Sequence, residues 1–340
     1  MTQGPSVGAP ALSAIPNGQL AGRLIEFSDP MLDERFPRGV YLNLHGYPDF
    51  SVYARLAVEI AEPPSGLSTD EIRVTDILAA NVLGLHSGDP LWQQGRPPTV
   101  TPDGWTWVHE ARTRRLFLVP VELNASFRHH GGVATLNADR SKSGLLQEGM
   151  LEPVAFERSG AVPEEDLARL ESQLGFPLPV SYRRFLGGTD GGRPLGPAVN
   201  LACGFIIDNW LFGLRRDNPY QELIRANATL YDRFTEEFLG IGYVQGGMLA
   251  LKIRGADVGS VWYFDDDDLR DHDQRDAASV CAELLVRVGN DFDDFARHLV
   301  AVPAQFHEIA ESAVSSGHAN QVTDLPYLGS ALPEQLRRRR

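Results

Sequence analysis

The chain has 340 residues, 43% hydrophobic and 22% charged, with a mean hydropathy of -0.20, which is typical of a globular protein long enough for two domains. Its 31 Lys and Arg face 45 Asp and Glu, and the net charge of -14 argues against a broad basic surface that wraps nucleic acid. The chain has only two cysteines, Cys203 and Cys281, which are too few for a disulfide framework. The sequence shows neither an export signal nor a long apolar run, so we expect a cytoplasmic protein.

The acidic excess is unevenly distributed along the chain. Residues 1–150 hold 12 Lys and Arg against 16 Asp and Glu, whereas residues 151–340 hold 19 against 29. Four of those 19 are the arginines at 337–340. The acidity therefore belongs to the second half of the chain, and an acidic surface suits a basic partner.

The first half of the chain predicts a disordered arm followed by mixed strands and helices. Residues 1–22 are rich in Gly, Pro, Ala and Ser and lack a hydrophobic period. The patterns after them predict the following elements: a strand at 41–47, a helix at 69–83, a β-hairpin of 105–110 and 115–121, and a helix at 122–129. The last three give a ββα order.

The second half of the chain predicts further helices and one β-hairpin. The patterns predict a helix at 164–174, a second from Leu178-Pro179 to the Gly187-Gly188 stop, one or two helices at 220–238, strands at 248–253 and 260–264, and helices at 292–299 and 304–313. Strands and helices are mixed in both halves, so the predicted fold class is α+β.

One motif in the second half carries a family resemblance. The segment 162–192, VPEEDLARLESQLGFPLPVSYRRFLGGTDGG, is similar to the SUKH superfamily, and the matching positions are Leu174, Gly175, Leu178, Pro179, Tyr182, Phe185, Leu186, Asp190, Gly191 and Gly192. Residues 241–268 resemble its central strands, and the pair Phe292 and Phe295 its closing helix. The resemblance implies a SUKH-like sheet with packed helices and, as in most bacterial members, an immunity protein against polymorphic toxins.

A run of four carboxylates follows the second predicted strand of that region: Asp265, Asp266, Asp267 and Asp268. Adjacent like charges repel one another, so we expect either a solvated loop or a surface that meets positive charge. The run lacks the Gly and Glu spacing of a calcium loop. We therefore predict that these four residues bind a partner.

The first half carries a second resemblance, over residues 36–134. The segment 104–132, GWTWVHEARTRRLFLVPVELNASFRHHGG, is similar to toxin nucleases of the HNH/endonuclease VII group with a Trp-His-His signature, which implies a ββα-metal domain. By this resemblance His109 is the general base, whereas Val108, Asn124 and His129 fall on metal-ligand positions. Valine cannot coordinate a metal, and an amide oxygen is a weaker ligand than imidazole for a transition metal.

These observations predict the following layout: a disordered arm at 1–22, a degenerate nuclease-like domain at 23–135, a linker at 136–160, a SUKH-like domain at 161–315 and a tail at 316–340. The leading hypothesis is a bacterial toxin–immunity protein without a cofactor, whose SUKH-like domain neutralises a basic nuclease toxin. The first alternative is an active nuclease that uses Mg²⁺, Mn²⁺ or Zn²⁺ through His109, Asn124 and His129. The second is a SUKH-like scaffold or regulatory protein.

Overall fold

Two four-stranded antiparallel sheets organise the fold, one formed mainly by each half of the chain. The structure is a computed structural model, and it describes residues 12–62, 66–92, 99–133, 154–200 and 203–322. Within these residues the helices are α1 (Pro30–Arg35), α2 (Thr69–His86), α3 (Val121–Ala125), α4 (Glu164–Leu174), α5 (Val180–Thr189), α6 (Leu223–Asn227), α7 (Ala277–Glu283), α8 (Phe292–Arg297) and α9 (Ala304–Ser315).

The strands form antiparallel sheets against which these helices pack, as expected for the α+β class. They are β1 (Leu24–Ile25), β2 (Val40–Leu42), β3 (Pro48–Asp49), β4 (Leu56–Ile60), β5 (Trp105–His109), β6 (Arg115–Pro120), β7 (Phe156–Glu157), β8 (Arg193–Pro194), β9 (Ala198–Asn200), β10 (Ile206–Ile207), β11 (Phe238–Val244), β12 (Gly247–Lys252), β13 (Val261–Asp265), β14 (Val286–Gly289), β15 (Leu299–Ala301) and β16 (Ala319–Val322). No helix of the described ranges combines the length and the apolar character needed to cross a bilayer.

The N-terminal sheet has the strand order β16-β4-β6-β5. The hairpin of β5 and β6 followed by α3 confirms the predicted ββα order, although α3 ends at Ala125 and not at 129. Helix α2 packs on this sheet and begins with a capping box, in which Ser68 and Glu71 satisfy each other's backbone N–H groups. The edge strand β16 comes from residues that the sequence placed in a C-terminal tail.

The C-terminal sheet has the strand order β11-β12-β13-β14, and the predicted hairpin is its β12–β13 pair. Helices α4 and α5 precede it in the chain, and α5 continues through the predicted Gly187-Gly188 stop to Thr189, since Asp190 takes the left-handed conformation that ends the helix. Strand β7, from the predicted linker, pairs with β8. Residues 136–153 of that predicted linker lie outside the described residues.

Three sequence predictions are corrected. Residues 220–238 do not form a long helix: α6 ends at Asn227, whose side chain bonds to the backbone N–H and C=O of Gly240 and so ties the turn to β11. Residues 43–47 form a turn in which Asn43 accepts the backbone N–H of Tyr47, so the strand predicted at 41–47 stops at Leu42. Within the predicted disordered arm, Ile15 is fully buried.

The two halves share their hydrophobic cores. Val199, Ile206 and Phe306 of the second half pack with the apolar face of α2 and the N-terminal sheet, while Val121 of α3 belongs to the large core of the C-terminal half. Burial of apolar side chains is the main favourable term in folding, so each half stabilises the other.

Candidate functional site

His109 lies at the end of β5 in a chain of buried charged groups. Its Nε2 is 3.0 Å from Oδ2 of Asp76 on α2, and Oδ1 of Asp76 accepts a 2.8 Å hydrogen bond from Nη2 of Arg114. The side chains of His109 and Asp76 are 7% and 3% exposed. A carboxylate beside an imidazole fixes the orientation of the ring, which is how a general base is held in many enzymes.

The first metal-ligand position does not present a donor atom. Val108 is buried in an apolar cluster that includes Leu42, Phe50 and Phe117. Asn124, at the second position, lies on α3, and its Oδ1 is buried without a hydrogen-bond partner in the structure described. One of these two positions therefore offers only hydrocarbon, and the other a single amide oxygen.

His129, at the third position, is held as a neutral side chain. Its Nδ1–H donates to the carbonyl of Phe127 over 2.9 Å, and its ring meets that of Phe50 edge-on with 5.5 Å between centroids. Burial lowers the pKa of His129 to about 4, and the nearby guanidinium of Arg233 acts in the same direction. At neutral pH its Nε2 is the ring nitrogen left to accept a proton or bind a ligand.

Val108, His109 and His129 line one cavity of about 410 Å³, whose wall also includes His45, Asp49, Glu110 and His130. Asn124 is not part of this lining. The Nε2–H of His130 donates to the carbonyl of Asp271 over 2.9 Å. Among the residues that the structure describes, no three His, Cys, Asp or Glu side chains converge to hold a metal ion. The donors present do not fit the metal that an HNH-type nuclease needs.

The acidic run at 265–268 is packed against the nuclease-like half of the chain. Asp267 and Asp268 are 3% and 4% exposed, so the expectation of a solvated loop is wrong for these two residues. Asp267 accepts hydrogen bonds from Nε and Nη2 of Arg73 on α2, and Asp265 accepts from Nη2 of the same guanidinium over 3.2 Å. The positive charge of Arg73 offsets the repulsion that the sequence suggested. Asp268 is bonded to Arg270.

The two glycines of the His-His-Gly-Gly segment allow this close approach. The backbone N–H of Gly131 donates to the carbonyl of Asp266 over 3.1 Å, and a side chain at 131 would collide with the carboxylate of Asp267. A side chain at Gly132 would collide with His109. The segment that the resemblance placed at the nuclease site therefore also forms the contact between the two halves of the chain.

Three charged residues of this region were absent from the predicted site: Arg73, Asp76 and Arg114. One signal was present in the sequence, because Arg73 and Asp76 are charged residues within the apolar pattern of 69–83. A charged group on a buried helix face needs a partner. The partners lie too far along the chain for spacing to identify them.

Comparison with protein-family models confirms both resemblances. Residues 161–298 match the SMI1 / KNR4 family (SUKH-1), and residues 97–139 match a nuclease family of the HNH/ENDO VII superfamily with conserved WHH. No curated protein was found to match the chain. The chain thus joins a region similar to WHH nucleases to a region similar to the SMI1/KNR4 (SUKH-1) family, which supports a protein related to toxin–immunity systems.

Proposed function

We propose that this chain is a binding protein of a bacterial toxin–immunity system. In this proposal the SUKH-1 region binds and neutralises a cognate nuclease toxin, and the nuclease-like region carries out no metal-dependent cleavage. The observation that carries the proposal is Val108, an apolar core side chain at a metal-ligand position. A nuclease-like region without its metal acts as a scaffold for the SUKH-1 region, against which it packs.

The loss of cleavage follows from what the reaction requires. Phosphodiester hydrolysis of this type needs a base for the attacking water and a divalent cation that neutralises the scissile phosphate. His109 retains the base position, where Asp76 orients its ring. Val108 supplies no ligand, and the carboxylate of Glu122 is paired with Arg35.

Partner binding draws on the negative charge of the second half. Of the acidic run, Asp265 and Asp266 remain partly exposed, whereas Asp267 and Asp268 are buried. Other carboxylates of this half remain on the surface, with side-chain exposures of 91% at Glu236, 76% at Glu164 and 58% at Glu283. An acidic surface accelerates association with the basic DNA-facing cleft of a nuclease, and salt weakens that steering.

The enzymatic part is tested on the full chain. We expect no nicking of supercoiled plasmid and no cleavage of RNA with Mg²⁺, Mn²⁺ or Zn²⁺. Metal-dependent cleavage that disappears in His109→Ala would overturn this part and establish the active nuclease as the function. The same ions titrated by calorimetry give a second readout, in which stoichiometric binding lost in His129→Asn would contradict the absence of a site.

The binding part is tested with purified, catalytically inactivated toxin nucleases of the WHH type. We expect one member of such a panel to bind the full chain, with affinity that falls steeply between 50 and 300 mM NaCl. Glu236→Gln combined with Glu283→Gln should slow association without changing the fold. Binding that is indifferent to salt, or a panel without any binder, would count against an electrostatically guided immunity function.

A further inference from the structure

A second cavity, of about 540 Å³, lies where the two halves of the chain meet. Arg35 and Trp105 line it from the first half, and Trp210, Arg215 and Arg216 from the second half. Its volume is within the range of about 300–1,000 Å³ typical of small-molecule sites. Three guanidinium groups and two carboxylates, those of Asp103 and Asp217, line this cavity, so positive groups outnumber negative ones there in a chain whose net charge is -14.

Of the three guanidinium groups, that of Arg216 has a buried N–H group without a hydrogen-bond partner among the described residues. It lies over the indole ring of Trp210, 4.3 Å from the ring centroid, and Nη2 donates to the backbone carbonyl of Asp190. Its Nε is buried without a hydrogen-bond partner in the described part of the chain. Among the described residues no carboxylate forms an ion pair with this guanidinium, although the charges of Asp190 and Asp103 act on it from a greater distance.

The neighbouring cations are already paired. Arg35 binds Glu122, Arg215 binds Asp166, and Arg193 binds Glu157 together with Asp103, one of the two carboxylates on the cavity wall. Arg193 also lies over the ring of Trp210, 4.8 Å from its centroid, so two guanidiniums share one indole. Burial lowers the pKa of Arg216 and the charge of Arg193 adds to that effect, whereas the carboxylates of Asp190 and Asp103 oppose it. An anion placed beside Arg216 would relieve both costs.

We propose that this cavity binds a phosphate group, either free or carried by a small organic molecule, through the guanidinium of Arg216. Guanidinium groups match phosphate oxygens with two parallel N–H donors, which makes arginine the usual phosphate ligand. Arg35 and Arg215 retain free N–H donors on the rim and add positive potential. The indole of Trp105 gives the cavity an apolar wall suited to the organic part of a ligand. The proposal is independent of the proposed function.

The test uses the full chain with two probes, inorganic phosphate and adenosine monophosphate, by calorimetry at constant ionic strength set with NaCl. We expect saturable binding of at least one probe and at least a tenfold loss of affinity in Arg216→Gln. Arg297→Gln is the matched control, because Arg297 is 68% exposed, pairs with Asp294 and is not part of the cavity lining. Tighter binding of the nucleotide identifies an organic phosphate as the ligand, and equal binding identifies the free ion.

Two further variants keep the test decisive if Arg216→Gln does not fold. Arg215 is 53% exposed, so Arg215→Gln should preserve the fold and reduce affinity several-fold. Binding should change tryptophan emission, and Trp210→Phe should reduce that change, with Trp105 left as the second indole on the cavity wall. The absence of saturable binding by either probe, or an affinity unchanged in both arginine variants, would overturn the proposal.

Discussion

Val108 and His109 show how differently two neighbouring residues of one strand can be placed. They are adjacent on β5, so their side chains lie on opposite faces of the sheet. Val108 packs with Phe117 in the apolar cluster, and His109 reaches Asp76 on α2. The valine keeps its face of the strand apolar and stable, whereas a ligand for a metal at that position would have to be polar and solvated or bound.

His129 should control how stability depends on pH. Its pKa is about 4 in the folded chain against about 6.5 when exposed. Below pH 6.5 this side chain is therefore protonated in the unfolded chain while it stays neutral in the folded chain. His129 therefore lowers the free energy of unfolding as pH falls from 6.5 towards 4. We expect His129→Asn to reduce the stability loss between pH 7 and pH 5 by about 1–2 kcal/mol in urea unfolding.

His45 is the control for that measurement. It lines the same cavity but is exposed, so His45→Asn should leave the pH dependence unchanged. If His129→Asn lost stability with falling pH as steeply as the unmodified chain, the histidine would not be held neutral by burial.

The sequence identified His109 but not the groups that hold it, and the reason is their separation along the chain. Asp76 and Arg114 contact each other across 38 residues, and Arg73 reaches Asp267 across 194. Residue spacing reveals only neighbours on one helix or strand. The acidic run was therefore expected to repel itself, because Arg73, whose guanidinium compensates the charge, lies in the other half of the chain.

At the scale of secondary structure, helices with a clear apolar face were the predictable part. The pattern at 164–174, with leucines every three or four residues, gave α4 with its bounds. The region 220–238 also contains apolar residues at helical spacing, yet its turn is fixed by the Asn227 to Gly240 hydrogen bonds and its end pairs with β12. Those contacts are tertiary and leave little local signal.

Strand β16 closes the edge of the N-terminal sheet, and its pairing should be essential to that sheet. The Ala61 N–H donates to the carbonyl of His318, and the alternation of an antiparallel ladder then places Asn320, opposite Glu59, at the next hydrogen-bonded position. We expect Asn320→Pro to destabilise the chain by about 2–3 kcal/mol, since proline removes a ladder donor. Hydrogen exchange in β4 should accelerate with it.

Gln321→Pro is the matched control. Gln321 lies opposite Val58 at a position whose N–H points away from β4, so proline should cost distinctly less there. Equal destabilisation by the two prolines would mean that β16 does not pair with β4 in this register.

At the scale of the whole molecule, the two halves of the chain are interlocked. Strand β16 and helix α9 come from the end of the chain but complete the N-terminal sheet and cover α2. A fragment that stops at residue 150 lacks both, together with Val199 and Ile206 of the shared core. Assays of nuclease activity therefore belong on the full chain.

Arg73 should be the strongest single determinant of this coupling. Its side chain is 3% exposed and is bonded to the side chain of Asp267, which is 4% exposed, so Arg73→Met leaves a buried carboxylate without its cation. Loss of one partner of a buried ion pair costs about 3–5 kcal/mol. We expect urea unfolding to show that loss in a single transition, with tryptophan emission and far-UV circular dichroism coincident, because both halves unfold together.

Arg169→Met, at a position 66% exposed, should change stability by less than about 0.5 kcal/mol. A loss below about 1 kcal/mol for Arg73→Met, or two separate transitions in the unmodified chain, would show that the halves are energetically independent.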